Sequence, residues 1–282
     1  MSDRRTLGSL TDAPPVAARR WIRLDGDEAF PAEGRVAEEV PVAFVYGARA
    51  HLVMMATPAD LEDLATGFSV TEGIVESASE IAGIAIERHA AGVELRIGVS
   101  AAVAARLAQT RRALPARTGC GLCGVEAIDD AVRAPRAVST PLTVEAAAVY
   151  AAVRTLGARQ ELNRDAHALH AAAWARADGT VVVVREDVGR HNALDKVIGA
   201  LLRSGEDPSG GMLVVTSRAS VEMVQKAAAV GVGVFAAVSR PTALAIRMAE
   251  ASDMALLGLV RGETANLYAG AHRVRPTSVA HR

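Results

Sequence analysis

Cysteine is nearly absent from this 282-residue chain, with Cys120 and Cys123 alone. Two thiols cannot staple a chain this long, so a disulfide scaffold is excluded. Aromatic residues number nine, too few for base-stacking platforms. The formal net charge is −1, and no long-range field of one sign points to nucleic acid or an anionic membrane. The longest uncharged run, Ala227–Ser239, is shorter than the roughly 18 residues that a membrane span needs, and it reads as buried core. Residues 1–20 hold four Arg and two Pro without an apolar stretch, so no secretory signal is expected and a cytoplasmic protein is. Lysine is also scarce. Lys196 and Lys226 stand against 29 Arg, and asparagine occurs only at 163, 192 and 266.

What is present is aliphatic. Half of the residues are hydrophobic and 58 are Ala, enough for a full core in one large or two smaller domains. The composition has drifted towards Ala and Arg, which draws attention to the few residues that have not followed.

The first 15 residues read as a tail. From Val16 to Ala56 the pattern is strand-like, with a hairpin expected over Val42–Tyr46 and His51–Met55 around Gly47. Thr57-Pro58-Ala59-Asp60 reads as a helix start capped by Thr57, with Leu61, Leu64, Ala65 and Phe68 on its buried face. Strands over Ile81–Glu87 and Val93–Val99 and a helix over Ala101–Arg112 follow. RTGCGLCG at Arg117–Gly124 then breaks the pattern and reads as a mobile loop between two halves. Beyond it a helix is expected over Val144–Leu156, a hairpin around Asp178-Gly179, and then alternation. Helices His191–Leu202, Ser220–Val230 and Thr242–Ala251 interleave with strands Met212–Thr216, Val232–Val238 and Met254–Val260. This is the signature of a layered α/β sheet. The expected organisation is a tail (1–15), a β-rich N-terminal domain (16–116), the CxxC loop (117–124) and an α/β domain (125–282).

Four segments carry functional groups. Cys120 and Cys123 have the CxxC spacing used by half of a zinc site, by a dithiol–disulfide couple, or by a persulfide sulfur relay. No second Cys pair is present to complete a Cys₄ site, although two chains could share a metal. The glycines around the pair favour a mobile loop, which suits a sulfur that must meet a donor and then an acceptor. Arg117 could stabilise the thiolate. Two surplus thiols in a loop is the bland alternative. The second segment, VREDVGRHNALDK, follows an apolar strand, where ligands bind α/β sheets. Asp187, Arg190, His191, Asn192 and Asp195 could line a pocket there, and Lys196 is one of the two lysines. The alternative is an ordinary solvated helix start. In the third, Thr216, Ser217 and Ser220 precede a helix and Arg218 adds charge, a phosphate-binding arrangement or a plain cap. Glu222 and Lys226 read as a helix-surface pair. The fourth, LVRGETANLY, places Arg261-Gly262 after the last buried strand, as a phosphate-approaching loop or an ordinary one. HAAAW at His170 lacks the Glu that zinc deaminases need, since Ala172 stands there.

Together these segments resemble the formate dehydrogenase accessory sulfurtransferases, the FdhD family. The matching stretches are GFSVTEGIV (67–75), CGLCG (120–124), HAAAW (170–174), VREDVGRHNALDKVIG (184–199), SRASVEMVQKAA (217–228), VSRPTALA (238–245) and GLVRGETANLY (258–268). A lone CxxC is common, whereas seven ordered segments over about 200 residues are specific. The resemblance implies a sulfurtransferase that takes sulfur from a cysteine desulfurase and passes it to the molybdenum bis(pterin guanine dinucleotide) cofactor of formate dehydrogenase. That cofactor is a bound client, with no permanent cofactor or metal. The persulfide carrier falls on Cys120, with Cys123 secondary. The cofactor-contacting segment falls on Leu259, Val260, Arg261, Gly262, Glu263 and Thr264, and Arg190, His191, Asn192, Ser217 and Arg218 are pocket candidates. A homodimer is implied, and a cytidine-deaminase-like C-terminal domain. Two departures stand out: Ala166-His167 occupies a position that is often Thr-Gly, and Leu259 one that is often aromatic. The rival readings are a cofactor-binding chaperone without a covalent sulfur step and a zinc module bridging two chains.

Overall fold

The computed structural model describes residues 9–47, 49–110 and 134–276. Arg117 and the Cys120–Cys123 pair lie outside the described residues.

The chain opens with two hairpins. β1 (Val16–Asp25) pairs antiparallel with β2 (Glu28–Ala37), and β3 (Val40–Tyr46) with β4 (Arg49–Ala56). α1 (Leu61–Thr71) follows, then β5 (Gly83–His89), β6 (Gly92–Gly98) and α2 (Ala101–Thr110). β4, β3, β6 and β5 form a four-stranded sheet in that order. Val42, Phe44, Leu95 and Ile97 alternate onto its inner face and meet Leu61, Leu64, Ala65 and Phe68 of α1 in one core. The expected buried face of this helix is thus the observed one. Its cap is not. The N-cap is Asp60, in a left-handed conformation without a side-chain cap bond, and Thr57 is engaged elsewhere.

Beyond residue 134 come β7 (Val144–Glu145), α3 (Ala146–Ala158) and a one-turn α4 (Asn163–Ala166). β8 (His170–Arg176) and β9 (Val181–Asp187) form the expected hairpin, with Gly179 at φ 89° in its turn. Then α5 (Arg190–Ser204), β10 (Gly211–Val215), α6 (Val221–Ala229), β11 (Val234–Ala237), α7 (Ala243–Ala251) and β12 (Ala255–Arg261) alternate. β13 (Thr264–Ala269) returns beside β12, and β14 (Val274–Arg275) pairs with β7. The six-stranded sheet has the order β13-β12-β11-β10-β8-β9, with β10, β11 and β12 parallel.

Strand alternation sorts this sheet into two cores. Leu213, Val215, Phe235 and Ala237 face α5, α6 and α7, while Met212, Val214, Val234 and Leu257 face α3. The fold is therefore mixed α/β, as expected. α1 lies along α5, so the helix that covers the four-stranded sheet also packs against the layer covering the six-stranded one. Leu202 and Val230 touch both cores. No helix among the described residues is long and apolar enough to cross a membrane.

Candidate functional site

The six-stranded sheet has one end on which the functional groups gather. β9, β10, β11 and β12 all run towards it, and β8 and β13 start there. Three helices, α5, α6 and α7, begin just after β9, β10 and β11, so three helix N-termini open on this edge, that of α7 capped by Thr242 Oγ1 accepting from Ala245 N. Crevices outside strand carboxyl ends are where α/β sheets bind ligands.

The loops along the edge are stitched to one another. Thr216 N donates to Ala171 O (3.0 Å), and Ala171 N donates to Thr216 Oγ1 (2.9 Å). Thr242 N donates to Ala219 O (3.1 Å), and Leu259 N to Ser239 O (3.2 Å). The last bond pins a bulge. Leu259 sits at φ 52°, a conformation costly for a non-glycine residue, within the register shift between Gly258 and Arg261 of β12 against β13.

The sequence places a loop at Arg261-Gly262 after a strand over Met254–Val260, and the structure forms a hairpin there: Arg261 ends β12, Gly262 turns at φ 57°, and Thr264 opens β13. Arg261, Gly262, Glu263 and Thr264 are exposed at its tip, and Leu259 is half-buried. Val260 is different. Its side chain belongs to the core against α3 and cannot present itself at the edge.

The pocket candidates also divide. Arg190, His191, Ser217 and Arg218 are brought together at this edge by the ends of β9 and β10. Arg218, Arg240 and Arg261 are exposed, and none of them makes an ion pair with a described residue. The Nε of Arg190 is buried and has no hydrogen-bond partner among the described residues. Ser217 is buried and donates to Arg218 O (3.0 Å). His191 Nε2 lies 3.3 Å from Ser220 Oγ and 3.8 Å from Glu222 Oε2. His191 beside it holds the Glu222 carboxyl down to about 2. His170, half-buried at the start of β8, has its pKa lowered by desolvation and by the neighbouring Arg190 and His191. The edge thus offers cationic groups and a neutral imidazole, a setting suited to an anionic ligand.

Other polar residues of the same segments serve a second purpose. Asp187 and Lys196 are both fully buried and pair at 2.7 Å. Lys196 Nζ also donates to Thr57 O (3.1 Å) and Glu186 O (3.3 Å). Asn192, 8% exposed, donates from Nδ2 to Met55 O and to Asp187 Oδ1, both at 2.9 Å. Lys226 is no surface partner of Glu222. It is buried and donates to both oxygens of Asp195 (2.8 and 3.0 Å), to Glu72 Oε1 (2.6 Å) and to Thr71 Oγ1 (3.0 Å). Burial pulls this ammonium down, but Asp195 and Glu72 outweigh it and hold its pKa above the ordinary lysine value. Burial likewise pushes Asp195 up, against the pull of Lys226.

Both lysines therefore join the segments around β4 and α1 to α5 and α6. Periodicity along one helix could not show this, because each partner lies more than a hundred residues away or on a different element. The available signal was compositional: lysine retained in an arginine-rich chain. Among the described residues no group of three or more His, Cys, Asp or Glu could hold a metal ion.

Comparison with known proteins agrees with the segment matches. The model of the FdhD/NarQ family matches residues 37–275. A sulfur carrier protein FdhD of Bordetella petrii is 52% identical over 95% of this chain and 96% of its own length. One from Cupriavidus necator is 50% identical over 92% of this chain and 89% of its own. Among solved structures, one from Desulfotalea psychrophila, described as a formate dehydrogenase accessory protein, superposes with a TM-score of 0.73. It covers 93% of this chain and all of its own, at 22% identity, which speaks to the fold alone.

Proposed function

Because the chain belongs to the FdhD/NarQ family, we propose that it is a sulfur carrier serving formate dehydrogenase. The observation that carries this reading is near full-length identity of about one residue in two to proteins of that name. The CxxC pair supplies the chemistry. The Cys120 thiolate attacks the terminal sulfur of a cysteine desulfurase persulfide. A new S–S bond forms, the donor S–S bond breaks, and the desulfurase thiolate leaves. Cys120 then carries the sulfur to the bis(pterin guanine dinucleotide) substrate, where the Cys120 S–S bond breaks, the Cys120 thiolate leaves, and the reduced molybdenum of the substrate supplies the two electrons that bring the sulfur to the sulfide level; Cys123 has a secondary role.

The anionic substrate fits the carboxyl edge of the six-stranded sheet. Arg190, Arg218 and Arg261 and the helix starts supply positive potential for its phosphates, and Leu259 with Arg261, Gly262, Glu263 and Thr264 forms the outer wall. The neutral His170 can accept or donate a hydrogen bond there without adding charge. The protein acts as a homodimer in the cytoplasm.

Complementation tests this reading. In cells lacking their own copy of this protein, the wild-type chain restores formate dehydrogenase activity and Cys120→Ala does not. Full restoration by Cys120→Ala would leave only a cofactor-binding chaperone without a covalent step.

A further inference from the structure

The turn that brings Arg190 and His191 to the edge is held from outside its own sheet. Asp187, the last residue of β9, is fully buried, and its carboxylate accepts four hydrogen bonds. Oδ1 takes Gly189 N (2.8 Å) and Asn192 Nδ2 (2.9 Å), and Oδ2 takes Thr57 N (3.0 Å) and Lys196 Nζ (2.7 Å). The strap 55–57, which leaves β4, therefore reaches the turn from the other sheet. Thr57 Oγ1 accepts from Val188 N (3.1 Å), and Met55 O accepts from Asn192. The turn is tight as well. A Cβ on Gly189 would stand 2.9 Å from Asn192 Nδ2. The next two residues are Arg190 and His191.

We propose that Asp187 and Asn192 are positioning residues: with the strap 55–57 they set the 187–190 turn, so the geometry of the cationic edge depends on the docking of the N-terminal sheet. A carboxylate with all four acceptor positions filled fixes the atoms around it more tightly than any one bond could. Asn192 then acts on the edge through Asp187 and Met55 rather than by touching a ligand. The identity of the ligand rests on the function proposed above, but the positioning does not.

The test uses Asn192→Ala in the full chain, because removing Asp187 would strand the buried Lys196 and risk unfolding. Guanosine diphosphate is the probe for the guanine dinucleotide end. A core variant on the far side of the sheet, Leu156→Ala, serves as the control for lost stability. Imidazole resonances of His191 are recorded without ligand, and binding of the probe is measured by calorimetry. Asn192→Ala is expected to shift or broaden the His191 signals and to weaken the probe about tenfold, the fold-change of one charge-assisted contact of the edge displaced with the turn. Leu156→Ala should do neither. His191 signals unchanged in Asn192→Ala, or equally changed in Leu156→Ala, would overturn the positioning role. If the wild-type chain does not bind the probe, the ligand reading fails and the His191 signals alone decide the proposal.

Discussion

Gly67 on α1 and Gly199 on α5 face each other with no room for a side chain on either. A Cβ on Gly67 would lie 1.8 Å from Asp195 O, and one on Gly199 the same distance from Asp63 O. Both of these atoms belong to the backbone of the opposite helix, so neither can swing aside. The contact lets the two helices approach until Arg203 of α5 reaches Asp63 of α1 and Thr71 of α1 donates to Asp195 Oδ1 of α5 (2.7 Å). Gly67→Ala and Gly199→Ala must therefore force the helices apart. Each is expected to cost about 3 kcal/mol or more, beyond the usual overpacking range, although alanine favours an isolated helix. Equilibrium denaturation of each variant checks this.

Lysine at 196 and 226 is a matter of shape. Each ammonium is buried and held by oxygen atoms at 2.6–3.3 Å, a compact point-charge geometry that a larger planar guanidinium does not match. Lys196→Arg and Lys226→Arg keep the charge but overpack these sites, with an expected loss of about 1–3 kcal/mol. Lys196→Met leaves the Asp187 carboxylate buried without its counter-charge, with an expected loss of about 3–5 kcal/mol. The urea midpoint of Lys196→Met should fall below those of both arginine variants.

His167 occupies φ 50° at the end of α4. Left-handed backbone is strained for a residue with a Cβ. His167→Gly should therefore stabilise the chain by about 0.5–1 kcal/mol, less the added freedom of glycine in the unfolded state. Thermal unfolding gives the sign. A lower melting temperature would mean that the imidazole makes a contact worth more than the strain.

Glu222 gives the chain an acid-sensitive element. Its folded pKa, about 2, is depressed from 4.5 chiefly by His191. A depressed carboxylate adds stability that is present in full above pH 4.5 and is lost as pH falls towards 2. Glu222→Gln removes that contribution, so its stability should fall less steeply than that of the wild type over this window. Denaturation at pH 5 and at pH 3 measures the difference.

Much of this was legible in the sequence where the signal is local. The apolar spacing of Leu61, Leu64, Ala65 and Phe68 marked the buried face of α1. The capping role of Thr57 was misread because its partner, Val188, lies 131 residues away, just past the end of β9. Glu222 and Lys226 have the spacing of a surface pair, yet α6 turns Lys226 into the core to meet Asp195. The return strand β13 was read as loop because its exposed residues, such as Asn266 and Leu267, show little apolar alternation. At the candidate site, the local run around Arg190 and His191 was visible. What was not visible is that Asn192, two positions on, points its amide at the strap 55–57.

The central claim is that Cys120 carries sulfur as a persulfide. The most direct measurement is intact-protein and peptide mass spectrometry after incubation with a cysteine desulfurase and cysteine. The account predicts a gain of about 32 Da on the peptide containing Cys120, removed by a thiol reductant. It also predicts the same gain in Cys123→Ala and none in Cys120→Ala. Absence of the added mass from the wild-type chain, or its persistence in Cys120→Ala, would contradict it.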